Sequence, residues 1–192
     1  MASPITSERD SLLEKEREFH NNWAKDIDIK SIEPKLTFES SVALEGRWII
    51  ENLGSLDGLS VLELGSGAGE GAVYFAMQGA KVTATDLSEG MLKVVNKLAK
   101  HNDVSVNTVV APADDLRAFP DDSFDIVYGA NLLHHVDVKK TLTEVKRVLK
   151  PGGRAAFWDP IAYNPAINVY RRMATEVRTP DEHPLTMSDI KI

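Results

Sequence analysis

The sequence predicts an α/β fold, an open and mainly parallel sheet flanked by helices. Short apolar runs alternate with helix-like segments over residues 38–158, the rhythm of successive strand–helix–strand crossovers. The first run, Val61-Leu62-Glu63-Leu64, turns directly into the glycine-rich bend Gly65-Ser66-Gly67-Ala68-Gly69-Glu70-Gly71. Polar or small residues leave four run ends: this bend, Asp86, residues 111–115 and residues 129–135. In an open parallel sheet such loops converge beyond the carboxyl ends of the strands, where ligands bind.

Residues 1–36 are polar and charged and read as an N-terminal arm or lid. A helix over 8–22 presents a solvated face through Glu14, Lys15, Glu16, Arg17 and Glu18. Leu12, Leu13, Phe19 and Trp23 give it a sparse apolar stripe, and His20 with Trp23 is placed to cap a pocket. Residues 27–32 are a short extended piece or a loop. Residues 38–53 read as one helix, with Val42, Leu44, Trp48, Ile49 and Leu53 toward the interior. Gly54 and Asp57-Gly58 end it.

Strands are expected at 61–64, 81–85, 104–110, 124–128 and 154–158, and helices at 71–78, 89–100 and 138–149. Lys150-Pro151-Gly152-Gly153 ends the last of these helices and turns the chain. Residues 37–160 thus form the core. Residues 161–192 are a C-terminal stretch, with a helix over 168–177 and a loop over 178–187, that breaks off before the fold is finished.

A chain of 192 residues suits one domain with a substantial core. Its formal net charge of −7 argues against nucleic acid as a partner. There is no cysteine, which excludes disulfides, thiol catalysis and cysteine-type metal sites, and no metal-ligand cluster stands out. No apolar run approaches the ~20 residues of a membrane span, and residues 1–10 lack a signal-peptide core. A cytoplasmic location is the expectation.

The glycine loop is built for close approach of backbone to ligand. A dinucleotide fingerprint would need glycine or alanine at position 70, where Glu70 stands, and a carboxylate there would repel a pyrophosphate. The spacing is instead E-x-G-x-G-x-G from Glu63 to Gly69, which leaves Glu63 free to face a cationic ligand group.

Glu63 to Gly69, Asp86, Ser123-Phe124-Asp125-Ile126-Val127, Leu132-Leu133-His134-His135 and Leu149-Lys150-Pro151-Gly152-Gly153 together resemble the motif series of class I S-adenosylmethionine-dependent methyltransferases. More narrowly they resemble the small-molecule branch that includes the ubiquinone and menaquinone C-methyltransferases. The resemblance covers about residues 38–160 and implies a Rossmann-like sheet. It implies S-adenosylmethionine as cofactor and a small-molecule methyl acceptor as partner. It places Gly65, Ser66, Gly67 and Gly69 along the methionine and ribose, Glu63 near the amino group and Asp86 on the ribose hydroxyls. It also places Leu87 on adenine and Asn131 near the methionine end. The family commonly carries Asp-Ala after the third strand to receive the adenine amino group. Here Pro112-Ala113 precedes Asp114 and Asp115, so either Asp114 takes that role or backbone alone does.

Methyl transfer to a hydroxyl or a weak carbon acid needs a general base. His134, His135, Asp159 and Tyr163 are candidates among which the sequence does not choose; for the two histidines a structural role competes. The resemblance also implies that further strands should follow, so five parallel strands are expected with the C-terminal strands of the fold missing. The fifth would then offer an open edge for a homodimer. Two other functions compete: a truncated or non-catalytic cofactor-binding module, and an NAD-dependent dehydrogenase.

Overall fold

The computed structural model describes residues 8–159 together with 161, 185, 186 and 188. Helix α1 (Glu8–Trp23) is followed by a 3-10 turn (Ile29–Ser31), whose start is capped by the Asp28 carboxylate accepting the Lys30 amide. Then come α2 (Pro34–Glu39), α3 (Leu44–Leu53), β1 (Ser60–Leu64), α4 (Glu70–Met77), β2 (Lys81–Asp86) and α5 (Glu89–His101). The chain continues through β3 (Val106–Val110), β4 (Phe124–Ala130), a 3-10 turn (Leu133–His135), α6 (Val138–Val148) and β5 (Leu149–Trp158).

All strand pairings are parallel and the order is β3-β2-β1-β4-β5. The core follows from strand alternation. On β1, Val61 faces a cluster with Phe75, Val82, Ile126 and the residues of α2 and α3, whereas Leu62 and Leu64 face Leu116, Phe124, Val127 and the α6 residues Val145 and Val148. Apolar side chains on both faces explain why β1 reads as a continuous apolar run interrupted only by Glu63. Leu185 returns to pack with Leu133 and Val138 and forms a parallel bridge with Ile161.

Three expectations need correction. Residues 38–53 are not one helix. Ser40 closes α2 in an extended conformation, and its hydroxyl accepts the Val42 amide at 3.3 Å, diverting the backbone from helical pairing. The break lets α3 fold back on α2 so closely that a Cβ on Gly46 would collide with the Thr37 carbonyl. As a result only Ile49 and Leu53 of the expected apolar face are buried; Val42, Leu44 and Trp48 are exposed. Second, Lys150 to Gly153 do not lie outside the sheet. β5 already starts at Leu149, and a bulge shifts its register between the Phe124–Leu149 and Ile126–Arg154 pairs. Third, β3 begins at Val106 rather than 104. The helix expected over 168–177, most of the loop over 178–187, and Tyr163 lie outside the described residues.

Candidate active site

From β1 the chain winds outward through β2 and β3, then returns to lay β4 on the other side of β1. The reversal opens a crevice beyond the carboxyl ends of β1 and β4. The glycine loop enters it. The Ser66 amide donates to the Thr85 carbonyl at 2.8 Å and the Gly69 amide to the Ser66 carbonyl at 2.8 Å, so the loop is pinned against β2 and closed on itself. Gly67 has φ 51° and opens onto space: nothing lies within 4 Å of where its Cβ would stand. Gly69, at φ 92°, serves packing instead, since a Cβ there would press on Val95.

Glu63 lies beneath the loop and is 4% exposed. The Ala72 amide, in the first turn of α4, hydrogen-bonds its carboxyl, while Oε2 has no partner among the described residues. Burial pushes this carboxyl up to about 8; the Ala72 amide pulls the other way, and the nearby Glu70 and Asp86 carboxylates add to the rise. The group therefore rests protonated near neutral pH and would ionise beside a cation. Ser66 Oγ is a second buried atom of the loop without a partner.

At the end of β2, Asp86 is held from two sides. Oδ2 accepts the Gly67 amide at 2.9 Å and Oδ1 the Ser88 amide at 2.8 Å. Burial raises its pKa, an effect those two amides oppose. The Asp86-Leu87-Ser88-Glu89 run also fits a helix-capping box. The cap is Ser88, however, whose Oγ accepts the Met91 amide at 3.0 Å, and the Ser88–Asp86 bond is a local side-chain turn. The Leu87 amide also acts on this carboxylate, whose two oxygens together offer about four acceptor positions.

Leu87, Pro112, Ala113 and Asp114 line a cavity of about 300 Å³, which His135 and residues of α1 close. Helix α1 thus spans the strand ends as a cover. Arg9 donates to Asp114 Oδ1 at 2.6 Å, Asn21 Oδ1 accepts from Ser88 Oγ at 2.7 Å and from the Gly90 amide at 2.9 Å, and Glu16 sits 3.3 Å from His135 Nδ1. Asp115 turns to Arg117 and is held below the usual carboxylate range by it.

Beyond β4, Asn131 adopts φ 51°, its amide donating to the Trp158 carbonyl at 2.7 Å, with an exposed side chain. His134 and Asp159 are both buried, and their Nδ1 and Oδ1 atoms are 2.8 Å apart. The His134 and His135 rings stack at 4.1 Å. The structure therefore gathers Glu63, Gly65, Ser66, Gly67, Gly69, Asp86, Leu87, Ala113 and Asp114 around one crevice, with His134, His135, Asp159 and Asn131 on its β4–β5 side. Arg9 and Asn21 were not singled out from the sequence, and Glu16, expected on a solvated face, is 13% exposed and turns to His135, since nothing in a polar helix marks which side chains reach loops distant in the chain. Among the described residues no group of three or more His, Asp or Glu is arranged to hold a metal ion, and no helix is long and apolar enough to cross a membrane.

The sequence profile described as the methyltransferase domain matches residues 62–157, and the chain belongs to this family. A demethylmenaquinone methyltransferase of Clavibacter sepedonicus is 45% identical over 98 residues, which is 50% of this chain and 39% of that protein. The YcgJ protein of Bacillus subtilis has a similar structure, with TM-score 0.65, 30% identity and coverage of 75% of this chain and 63% of that one. An S-adenosylmethionine-dependent methyltransferase of Mesorhizobium loti superposes with TM-score 0.54 and 32% identity, covering 61% of this chain and 54% of that one. The chain spans about half the length of the curated relatives it matches.

The family's cofactor is S-adenosylmethionine. The residues present fit it: a buried carboxyl with an unpaired oxygen, an unpaired serine hydroxyl, open space over Gly67, and a two-oxygen acceptor at Asp86. A pyrophosphate fits worse, because Glu70 stands in the first turn of α4, where its charge would lie.

Proposed function

We propose that this protein transfers the methyl group of S-adenosylmethionine to a small-molecule oxygen, nitrogen or carbon nucleophile by in-line displacement. The observation that carries the reading is Glu63, a buried carboxyl whose Oε2 lacks a partner beside a glycine loop open to a ligand. A buried polar atom left unpaired costs about 1–3 kcal/mol, and a cationic amino group on the ligand side recovers that cost.

The cofactor supplies a methyl group already activated on a sulfonium. The work left to the protein is to bind, orient and exclude water. Glu63 and Ser66 hold the amino-acid end, Gly67 clears room for it, and Asp86 receives the ribose hydroxyls. Leu87, Ala113 and Asp114 frame the adenine, and Asn131 borders the methionine end. Residues 8–23 cover the site as a lid on the core of residues 37–160. Positioning of this kind accounts for about 7–11 kcal/mol of a barrier where the reacting atoms are aligned. For a hydroxyl acceptor, the His134–Asp159 pair is the base we favour: a carboxylate on Nδ1 orients the ring and leaves its other nitrogen as the proton acceptor.

Calorimetry with S-adenosylhomocysteine tests the binding half. Wild type gives a measurable heat and Asp86→Ala loses most of the affinity; absence of heat in wild type overturns the reading. Release of S-adenosylhomocysteine on incubation with phenolic, amine and quinol acceptors tests the transfer half. It also separates an enzyme from a binding module.

A further inference from the structure

Helix α1 is packed directly on the β2–α5 loop. Asn21 takes the Ser88 hydroxyl and the Gly90 amide, and a Cβ on Gly90 would stand 3.1 Å from that of Ala24. The neighbouring residue, His20, touches two aromatic rings. Phe19 meets it edge-on with centroids 5.3 Å apart, and Trp23 lies 5.8 Å away. The ring's Nδ1 is buried and has no hydrogen-bond partner among the described residues.

A buried ring nitrogen without a partner is a cost that folding alone does not explain. The contacts with Phe19 and Trp23 need no ring nitrogen, and phenylalanine would keep them. Among the described residues five other buried atoms are in the same condition: Glu63 Oε2 and Ser66 Oγ at the glycine loop, Asp159 Oδ2 at the end of β5, Arg17 Nε on α1 and Thr141 Oγ1 on α6. Asp86, the acceptor proposed for the ribose hydroxyls, is within electrostatic reach of His20, which favours its charged form.

We propose that His20 is a cofactor-binding residue carried by the lid, its Nδ1 meeting a ribose hydroxyl that Asp86 receives from the other side. This rests on the methyltransferase reading. The ribose is then held between a core carboxylate and a lid imidazole, and a hydroxyl suits the pair because its one proton goes to Asp86 while its oxygen accepts from the Nδ1–H of the ring. Lid closure and cofactor binding become one event, because the residue that completes the ribose site arrives with α1.

The test is calorimetry of wild type and His20→Phe with S-adenosylhomocysteine and with its analogues lacking one or other ribose hydroxyl. His20→Phe preserves the ring contacts and removes the nitrogen. It weakens S-adenosylhomocysteine binding about tenfold, and the loss shrinks with the analogue lacking the contacted hydroxyl. Equal affinity in the variant, or a loss undiminished with both analogues, overturns the proposal. Wild type that fails to bind S-adenosylhomocysteine instead sinks the methyltransferase reading itself. A second measurement needs no variant. In wild type carrying isotope-labelled histidine, the His20 Nδ1 resonance moves on addition of S-adenosylhomocysteine, and an unmoved resonance in a ligand-saturated sample refutes the contact.

Discussion

The carboxyl of Glu63 occupies the place where a side chain at Gly71 would stand: a Cβ on Gly71 would collide with Glu63 Oε1. Glycine at 71 is therefore required by its neighbour across the crevice floor rather than by its own backbone angles. Gly71→Ala is expected to expel the Glu63 carboxyl from its seat against the Ala72 amide. The measurable result is a loss of S-adenosylhomocysteine affinity of about tenfold or more by calorimetry, matching one or two lost hydrogen bonds to a charged group. The fold should survive, since the glycine opens the helix at its first turn.

Glu63 also fixes a pH dependence. Its folded pKa, about 8, lies above the usual 4.5. A carboxyl raised in this way contributes stability that is complete below the unfolded value and is lost as pH rises through the folded one. The ligand-free protein should thus lose thermal stability between about pH 5 and 8 through this group, and Glu63→Gln should remove that loss. Binding runs the other way. A cationic amino group on Oε2 favours the ionised carboxylate, so binding near neutral pH releases a proton and tightens as pH rises toward 8. Calorimetry in buffers of different ionisation heat reads the proton directly. Both effects should vanish in Glu63→Gln, which should be the more stable and the weaker binder at pH 8.

The sheet and its glycine loop were legible because they depend on local pattern. Val61 to Leu64 is buried on both faces, and that burial is written in consecutive apolar residues. The division of 38–53 into α2 and α3 was not legible, because it depends on a serine hydroxyl competing for one amide and on a tertiary contact at Gly46 that no periodicity records. The place of Asp86 at the end of β2, beside the glycine loop, was legible. Its rivalry with Ser88 for the cap was not, since either side chain satisfies the same spacing and only the fold places Ser88 Oγ on the Met91 amide. The attachments of α1 escape sequence reading for a similar reason: Arg9 and Asp114 are 105 residues apart and meet only once the sheet is closed.

That ion pair yields a prediction in which magnitudes separate two effects. Arg9 is half exposed, whereas the Asp114 side chain is only 9% exposed. Such a pair contributes about 0–1 kcal/mol to stability, so Arg9→Ala should barely move the denaturation midpoint. It removes one of the polar tethers of α1, however, and the helix should become more open locally. Limited proteolysis is expected to cut within residues 8–23 several times faster in Arg9→Ala than in wild type. Added S-adenosylhomocysteine should slow the cut in both if the lid closes on the cofactor. Equal cutting rates would show that Arg9 does not hold the helix down.

The His134–Asp159 pair distinguishes structural support from acid–base work. Asp159 Oδ1 receives His134 Nδ1 at 2.8 Å and lies 3.4 Å from the His134 backbone amide, linking the segment after β4 to the end of β5. Removing the carboxylate strands a buried imidazole, so Asp159→Ala should cost about 1–3 kcal/mol in urea denaturation whatever the chemistry. His134→Gln is the more telling variant. A glutamine side chain retains a donor for Asp159 and loses the titratable ring. With a purely structural histidine, turnover stays within a few-fold of wild type and its pH profile is unchanged. With His134 as the base for a hydroxyl acceptor, turnover falls by about 10²–10⁴-fold while S-adenosylhomocysteine affinity is kept. The acidic limb of the pH–rate profile should disappear with it, because that limb reports protonation of the base.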